Sequence, residues 1–158
     1  LPLAPTHRRV LCASSTYLAK HGAPITPHEL AERDCLCFML GEEVHDRWRF
    51  SYGDAAQISV RVRSANVSND GDVVRRWALL GKGIAYKAYF DVADDLRHGR
   101  LQALCSDWTS EVTPLFMVLP SRRQLTPLMR CLRDFIAVRI AALEREDSTA
   151  QLVYTTKP

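Results

Sequence analysis

SANVSNDGDVVRRWALLGKGIAY, residues 64–86, is the stretch whose reading decides the fold. It begins as the end of a strand, passes through a polar turn at Ser68, Asn69 and Asp70, forms a short amphipathic helix and enters a second strand after Gly83. This is one complete crossover of an α/β sheet. The helix turns Val73, Val74, Trp77, Ala78 and Leu80 inward, and Gly81 suits the left-handed residue that stops a helix. Ser68, Asn69 and Asp70 are all effective N-caps, and Asp72 adds a carboxylate in the first turn. The backbone N–H groups there are therefore either capped by these side chains or free for a ligand. Taken alone, the turn reads as the front of a well-capped helix.

Outward from this unit, strands and helices continue to interleave. Before it, QISVRVRSANV (residues 57–67) places Ile58, Val60 and Val62 on one face and Ser59, Arg61 and Arg63 on the other, as one strand with a wet face. After it, GIAYKAYF (residues 83–90) is an apolar strand that Lys87 interrupts. That ammonium either faces a cleft or sits in water on an edge strand. Towards the N-terminus, RRVLCAS (residues 8–14) is a strand, with Ser14 or Ser15 capping a two-turn helix that ends at Gly22. Thr26, Pro27 and Glu29 form a capping box with proline at its preferred first position. CLCFML (residues 35–40) is a buried strand, residues 41–46 a loop, and Trp48 and Phe50 precede a hairpin turn at Tyr52, Gly53 and Asp54.

Towards the C-terminus, residues 91–99 read as a short helix or loop, RLQALCSDW as a brief strand, and PLFMVLP as an apolar run closed by proline. Thr126 and Pro127 then start an amphipathic helix. Leu128, Leu132, Phe135, Ile136, Ile140 and Leu143 recur in it at helical spacing to about Arg145, and residues 146–158 are expected to be a flexible tail. Alternation of this kind predicts an α/β layer fold with a mixed, mainly parallel sheet flanked by helices, plus a C-terminal amphipathic helix. In such sheets ligands bind beyond the carboxyl ends of strands and at helix N-termini, which describes the turn at residues 68–70.

Composition limits what the chain can do. Its 158 residues, 47% of them apolar, suit one domain or a domain with appendages. No run is long enough for a transmembrane span, and the opening Leu-Pro-Leu without an initiator Met is expected of a piece of something longer. The net charge of +3 comes from 21 basic and 18 acidic residues spread along the chain, which does not mark a nucleic-acid binder. Five scattered cysteines, an odd number, point to reduced thiols in a cytoplasm. Cys35 and Cys37 share a strand face as small buried hydrophobes, without partner ligands for a metal. No nucleophile elbow, phosphate loop or zinc-protease helix is present, and the five histidines stand alone in predicted loops and helix starts. The expectation is therefore a non-enzyme with no cofactor, no metal and no membrane.

Six pieces, in order, carry a family resemblance: RRVLCASSTYLAKHG, the P-x-x-L of residues 27–30, the W-x-F of residues 48–50, SNDGDVVRRWALLGKGIAY, DDLRHGRLQALCSDW, and PLFMVLPSRRQLTPLMRCLRDFI. Over residues 3–143 the chain resembles the C-terminal effector-binding domain of LysR-type transcriptional regulators. The resemblance implies a lobe of a type 2 periplasmic-binding-protein-like fold. Residues 1–123 would be the second subdomain, and residues 124–145 a helix that normally returns to the first. It implies a cytoplasmic regulator in which a small-molecule effector is sensed between two lobes. DNA would be bound only through a winged helix-turn-helix absent from this sequence, and the full-length protein would be a homodimer or tetramer. A transporter's solute-binding protein has the same architecture and is the alternative. Carried over by position, effector contacts fall on Ser68, Asn69 and Asp70 and near Tyr86, with Ser14 at the end of the first strand as a further candidate. Members commonly have Leu-Pro where this chain has Tyr86 and Lys87. An aromatic group and a cation there either favour an anionic or aromatic effector or face solvent.

Overall fold

The computed structural model describes residues 1–121 and 124–155. By its contacts the chain divides into two compact units, one of Arg8–Glu111 and the other of Leu1–His7 with Val112–Pro158. The division falls at residues 7/8 and 111/112; the sequence reading expects boundaries after residues 123 and 145.

The larger unit is built on a sheet in the order β7 (Arg63–Ser68), β3 (Asp34–Leu40), β8 (Ile84–Ala88), β2 (Arg9–Ala13), β9 (Gln102–Ala103), with the short β4 (Glu43–Val44) on the end of β3. β7, β3 and β8 run parallel, and β2 lies antiparallel to both of its neighbours, β8 and β9. The sheet is mixed, as expected, but not mainly parallel, since two of its five ladders are parallel and three antiparallel. Alternation along each strand supplies two cores. Leu11 and Ala13, Cys35 and Cys37, and Ile84 and Tyr86 pack with Tyr17, Leu30, Trp48 and Phe50 on one face. Cys12, Leu36 and Ala85 pack with Val74, Ala78, Val92 and Leu101 on the other.

The first face is covered by α1 (Ser15–His21), a 3₁₀ helix at Pro27–Glu32, and the antiparallel strands β10 (Trp108–Ser110), β5 (Arg47–Tyr52) and β6 (Ile58–Arg61). The capping box at Thr26 and Glu29 forms as read, but on a 3₁₀ turn. The second face is covered by α2 (Gly71–Leu79) and α3 (Tyr89–Arg97). Asp95 on α3 is completely buried. Arg75 donates to it from Nε at 2.6 Å and from an Nη at 3.0 Å, and Arg100 donates from Nε at 2.7 Å. Burial pushes this carboxyl up, but the hydrogen bonds from the two guanidiniums outweigh it and hold the group below the usual carboxylate range.

Several expectations are corrected. Residues 57–67 are two strands, broken at Val62, whose N–H turns aside to Asp46 O at 2.8 Å. β6 joins the hairpin and β7 joins the main sheet, so the even alternation concealed a change of sheet. The strand after Gly83 stops at Ala88, and the aromatic pair Tyr89–Phe90 opens α3, which settles residues 91–97 as helix and 98–99 as the turn that ends it. A short β1 (Pro2–Ala4) pairs antiparallel with β11 (Leu115–Phe116) within the smaller unit, together with α4 (Pro127–Thr155). α4 continues ten residues beyond the expected stop at Arg145, because neither glycine nor proline interrupts residues 128–157. Residues 156–158 of the expected tail lie outside the described residues. Among the described residues no helix is long and apolar enough to cross a membrane. Cys12, Cys35 and Cys37 are fully buried, and burial pushes the Cys12 thiol up to about 12.

Candidate functional site

β3, β7 and β8 point their carboxyl ends the same way, and because β2 is antiparallel, Arg9 at its start lies opposite Ala88 at the end of β8. A pocket of about 310 Å³ opens at this end of the larger unit. β3 lends it Leu36 and Phe38, β8 lends Tyr86, Lys87 and Ala88, and α2 lends Gly71 and Val74. Arg9, His45, Arg47, Trp48, Asp91 and Glu111 complete the lining.

Lys87 lies on a central strand between β3 and β2 and is 7% exposed, which decides against the edge-strand reading. Its Nζ donates to Gly71 O at 3.0 Å and stands 2.8 Å from Asp91 Oδ2. A buried ammonium needs such partners. Gly71 makes room for them, since a Cβ there would come within 2.9 Å of Nζ. Tyr86, on the other face of the strand, stacks at a tilt against Trp48 and Phe50, with ring centroids 5.2 and 5.0 Å away. Its hydroxyl donates to Arg49 O and accepts from Glu111 N, both at 2.9 Å. Burial raises the phenol to about 12, against the lowering by the Glu111 N–H, so it remains a neutral donor at pH 7. The backbone already holds both its donor and acceptor functions, and Tyr86 offers the pocket mainly a ring.

The guanidinium of Arg9 lies 5.8 Å from the Tyr86 ring centroid, and its Nε is 3.0 Å from Glu111 Oε1. That contact is an ion pair without hydrogen-bond geometry, and the buried Nε has no hydrogen-bond partner. Arg47 is exposed and makes no ion pair or side-chain hydrogen bond among the described residues. It stands directly opposite Arg61 on β6, and the nearby carboxylate, Asp46, pairs with Arg61 at 3.2 Å. The pocket thus has three cations, Arg9, Arg47 and Lys87, against two carboxylates, Asp91 and Glu111.

The residues predicted from the sequence do not all meet here. Tyr86 and Lys87 line the pocket. Ser68, Asn69 and Asp70 end β7 and lead into the pocket-lining Gly71, but are not themselves in its wall. Asp70 N donates to Ser68 Oγ at 3.1 Å and Asp72 N to Asp70 Oδ1 at 2.8 Å, so two of the three side chains are spent on capping. Asn69 remains exposed. Ser14 is at the opposite end of β2. It is buried and caps α1 by accepting from Tyr17 N at 3.3 Å. The sequence reading missed Arg9, Arg47, Trp48 and Glu111. The one available signal was the arginine placed before the aromatic pair of β5.

The sequence of residues 1–140 matches the family model described as the LysR substrate binding domain. The chain belongs to this family. Among LysR relatives, the HTH-type transcriptional activator TtdR of Escherichia coli is 36% identical over 99 residues, which covers 63% of this chain and 32% of that protein. The HTH-type transcriptional regulator CrgA of Neisseria meningitidis is 31% identical over 125 residues, covering 78% and 41%. The chain therefore spans about a third of the length of the first of these. The solved regulatory domain of CrgA superposes with a TM-score of 0.70 at 29% identity, covering 84% of this chain and 64% of that one. The full-length structure of the Vibrio cholerae virulence activator AphB matches in fold, with a TM-score of 0.70 at 21% identity, covering 88% and 47%. These LysR relatives are transcriptional regulators, and the reading as a transporter component gains no support from them.

Proposed function

We propose that this chain is the ligand-sensing part of a cytoplasmic LysR-type regulator, non-enzymatic, whose pocket at Lys87 receives a small-molecule effector. The single observation that carries this is the pocket's position. It opens at the carboxyl ends of parallel strands, beside the start of α2, in a domain of a family named for substrate binding. Lys87 and Tyr86 are the effector contacts kept from the sequence reading, and Asn69 lies outside the pocket wall. Ser68 and Asp70 hold the turn, and Ser14 is a cap remote from the pocket. Effector binding acts on a separate N-terminal winged helix-turn-helix by favouring one arrangement of a homodimer or tetramer over another, because a ligand shifts an equilibrium only by its differential affinity for the two states.

Melting the chain against a library of small metabolites tests this, with Ala88→Leu as a control that narrows the pocket. A subset of compounds should raise the Tm of the wild type and not that of the variant. A library in which no compound does so, or whose effects are the same in both proteins, would sink the proposal.

A further inference from the structure

Three cations line the pocket, and they are not equivalent. Lys87 is neutralised by Asp91 at 2.8 Å and spends a second donor on Gly71 O. Arg9 has its Nε enclosed 3.0 Å from Glu111 Oε1, out of reach of the cavity, and its Nη1 makes one long bond to Tyr86 O at 3.4 Å, so what it offers the pocket it lines is its Nη groups. Among the described residues Arg47 has no carboxylate partner. It faces Arg61 across the hairpin, and like charges directly opposite on neighbouring strands destabilise the pair, so fold stability alone does not account for its place. Arginine donors form a planar fork that matches a carboxylate in two parallel hydrogen bonds. Around them, Phe38, Trp48 and the ring of Tyr86 supply apolar surface in a volume of about 310 Å³, which suits a small organic molecule.

We infer that the pocket takes a small organic carboxylate, and that Arg47 together with Arg9, rather than Lys87, sets the preference for charge. This rests on the reading of the pocket as the effector site and names the ligand class that the site selects. The bound carboxylate completes the donors of Arg9 and gives Arg47 its missing counter-ion. Lys87 and Asp91 stay paired and hold the start of α2 against β8. The specificity is then a difference between a charged ligand and a neutral one of the same shape, which leaves the guanidinium donors unpaired.

The test compares acids with their amides on the same chain: benzoate with benzamide, and succinate with succinamide, by calorimetric titration and Tm shift. In the wild type at least one acid should bind about tenfold or more tightly than its amide. In Arg47→Gln the ratio should fall towards one, and it should fall similarly in Arg9→Gln. Lys87→Gln should lower it much less. Arg47 is exposed on a hairpin strand opposite Arg61, so Arg47→Gln should melt no lower than the wild type does, and loss of the ratio there is not loss of fold. Equal binding of acids and amides overturns the inference. So does a ratio that survives Arg47→Gln and Arg9→Gln, or one that Lys87→Gln alone abolishes. Amides that bind as well as acids and are excluded by Ala88→Leu would overturn the charge preference while leaving the pocket as the effector site. Failure of every acid and every amide to bind would overturn both.

Discussion

The two ends of β8 are built for opposite purposes. At the Ile84 end everything is shut. Gly83 lies so close to β3 that a Cβ there would stand 2.5 Å from Asp34 O, and Gly81 takes the left-handed conformation, φ 71°, against the α1 start. Ser14 closes the same end by capping α1. Asp95 tightens it too, since its carbonyl accepts from Leu101 N just before β9, which pairs with Ala13. At the Ala88 end the strands stop short around a cavity, and charges that would be unwelcome in a core are held with donors to spare. One end uses polar groups until they are saturated. The other leaves Arg47 in the wall of the cavity with no ion pair among the described residues, and an unpaired guanidinium there is what a ligand can exploit.

Substitutions at the two ends should separate accordingly. The largest effect on stability is expected at Asp95. Asp95→Asn removes the charge that two guanidiniums converge on and should lower unfolding free energy by about 3 kcal/mol at pH 7, read by urea denaturation. Because the folded carboxyl titrates below its unfolded value, its contribution is complete above a pH of about 4 and is lost as the pH falls through the folded value. The wild type should therefore lose stability more steeply than Asp95→Asn on acidification below that point. Parallel curves for the two proteins would mean that the carboxylate is not the stabilising group. Next comes Gly83→Ala, expected to cost about 2 kcal/mol, because the clashing atom is backbone and cannot swing away. A neutral effect would show that the closed end has slack.

The smallest effects belong to the two caps. Ser14→Ala, buried at the closed end, should cost about 1 kcal/mol. Asp70→Ala, exposed at the open end, should cost about half of that, both by thermal unfolding. If Asp70→Ala proved the more damaging, the start of α2 would belong to the stability framework and the contrast between the ends would fail.

Much of the architecture was readable in advance, for a physical reason. Alternation in β2, β3 and β8, the cap and glycine stop of α2, and the Thr26 box all depend on neighbours a few residues away, and local spacing reports them. What could not be read were the decisions made over distance. The break at Val62 is set by a bond to Asp46, and the end of β8 at Ala88 by the turn into α3. Lys87 could be singled out as anomalous in an apolar strand, but its partner Asp91 stood in a segment left as helix or loop. Ser14 and the turn at residues 68–70 shared one property in the sequence, a small polar group at an element boundary. Strand direction then sent them to opposite ends of the sheet, and β2 being antiparallel is not written in any local pattern. Arg9, Arg47 and Glu111 looked like ordinary surface charges, and only the fold brings them to one cavity.

The antiparallel course of β2 also governs when the pocket can exist. Ser110 and Arg9, joined by a 2.5 Å hydrogen bond from Ser110 Oγ to Arg9 O, are 101 residues apart in the chain. The α2 crossover and the β3–β8 ladder involve much shorter loops and can assemble early, whereas the wall that contains Arg9 and Glu111 closes only when the last residues of this unit arrive. On a ribosome the helices and sheet of this unit are therefore in place before the wall of its pocket. A nascent chain arrested before residue 110 should carry the sheet and its helices without the wall that sets Glu111 beside Arg9.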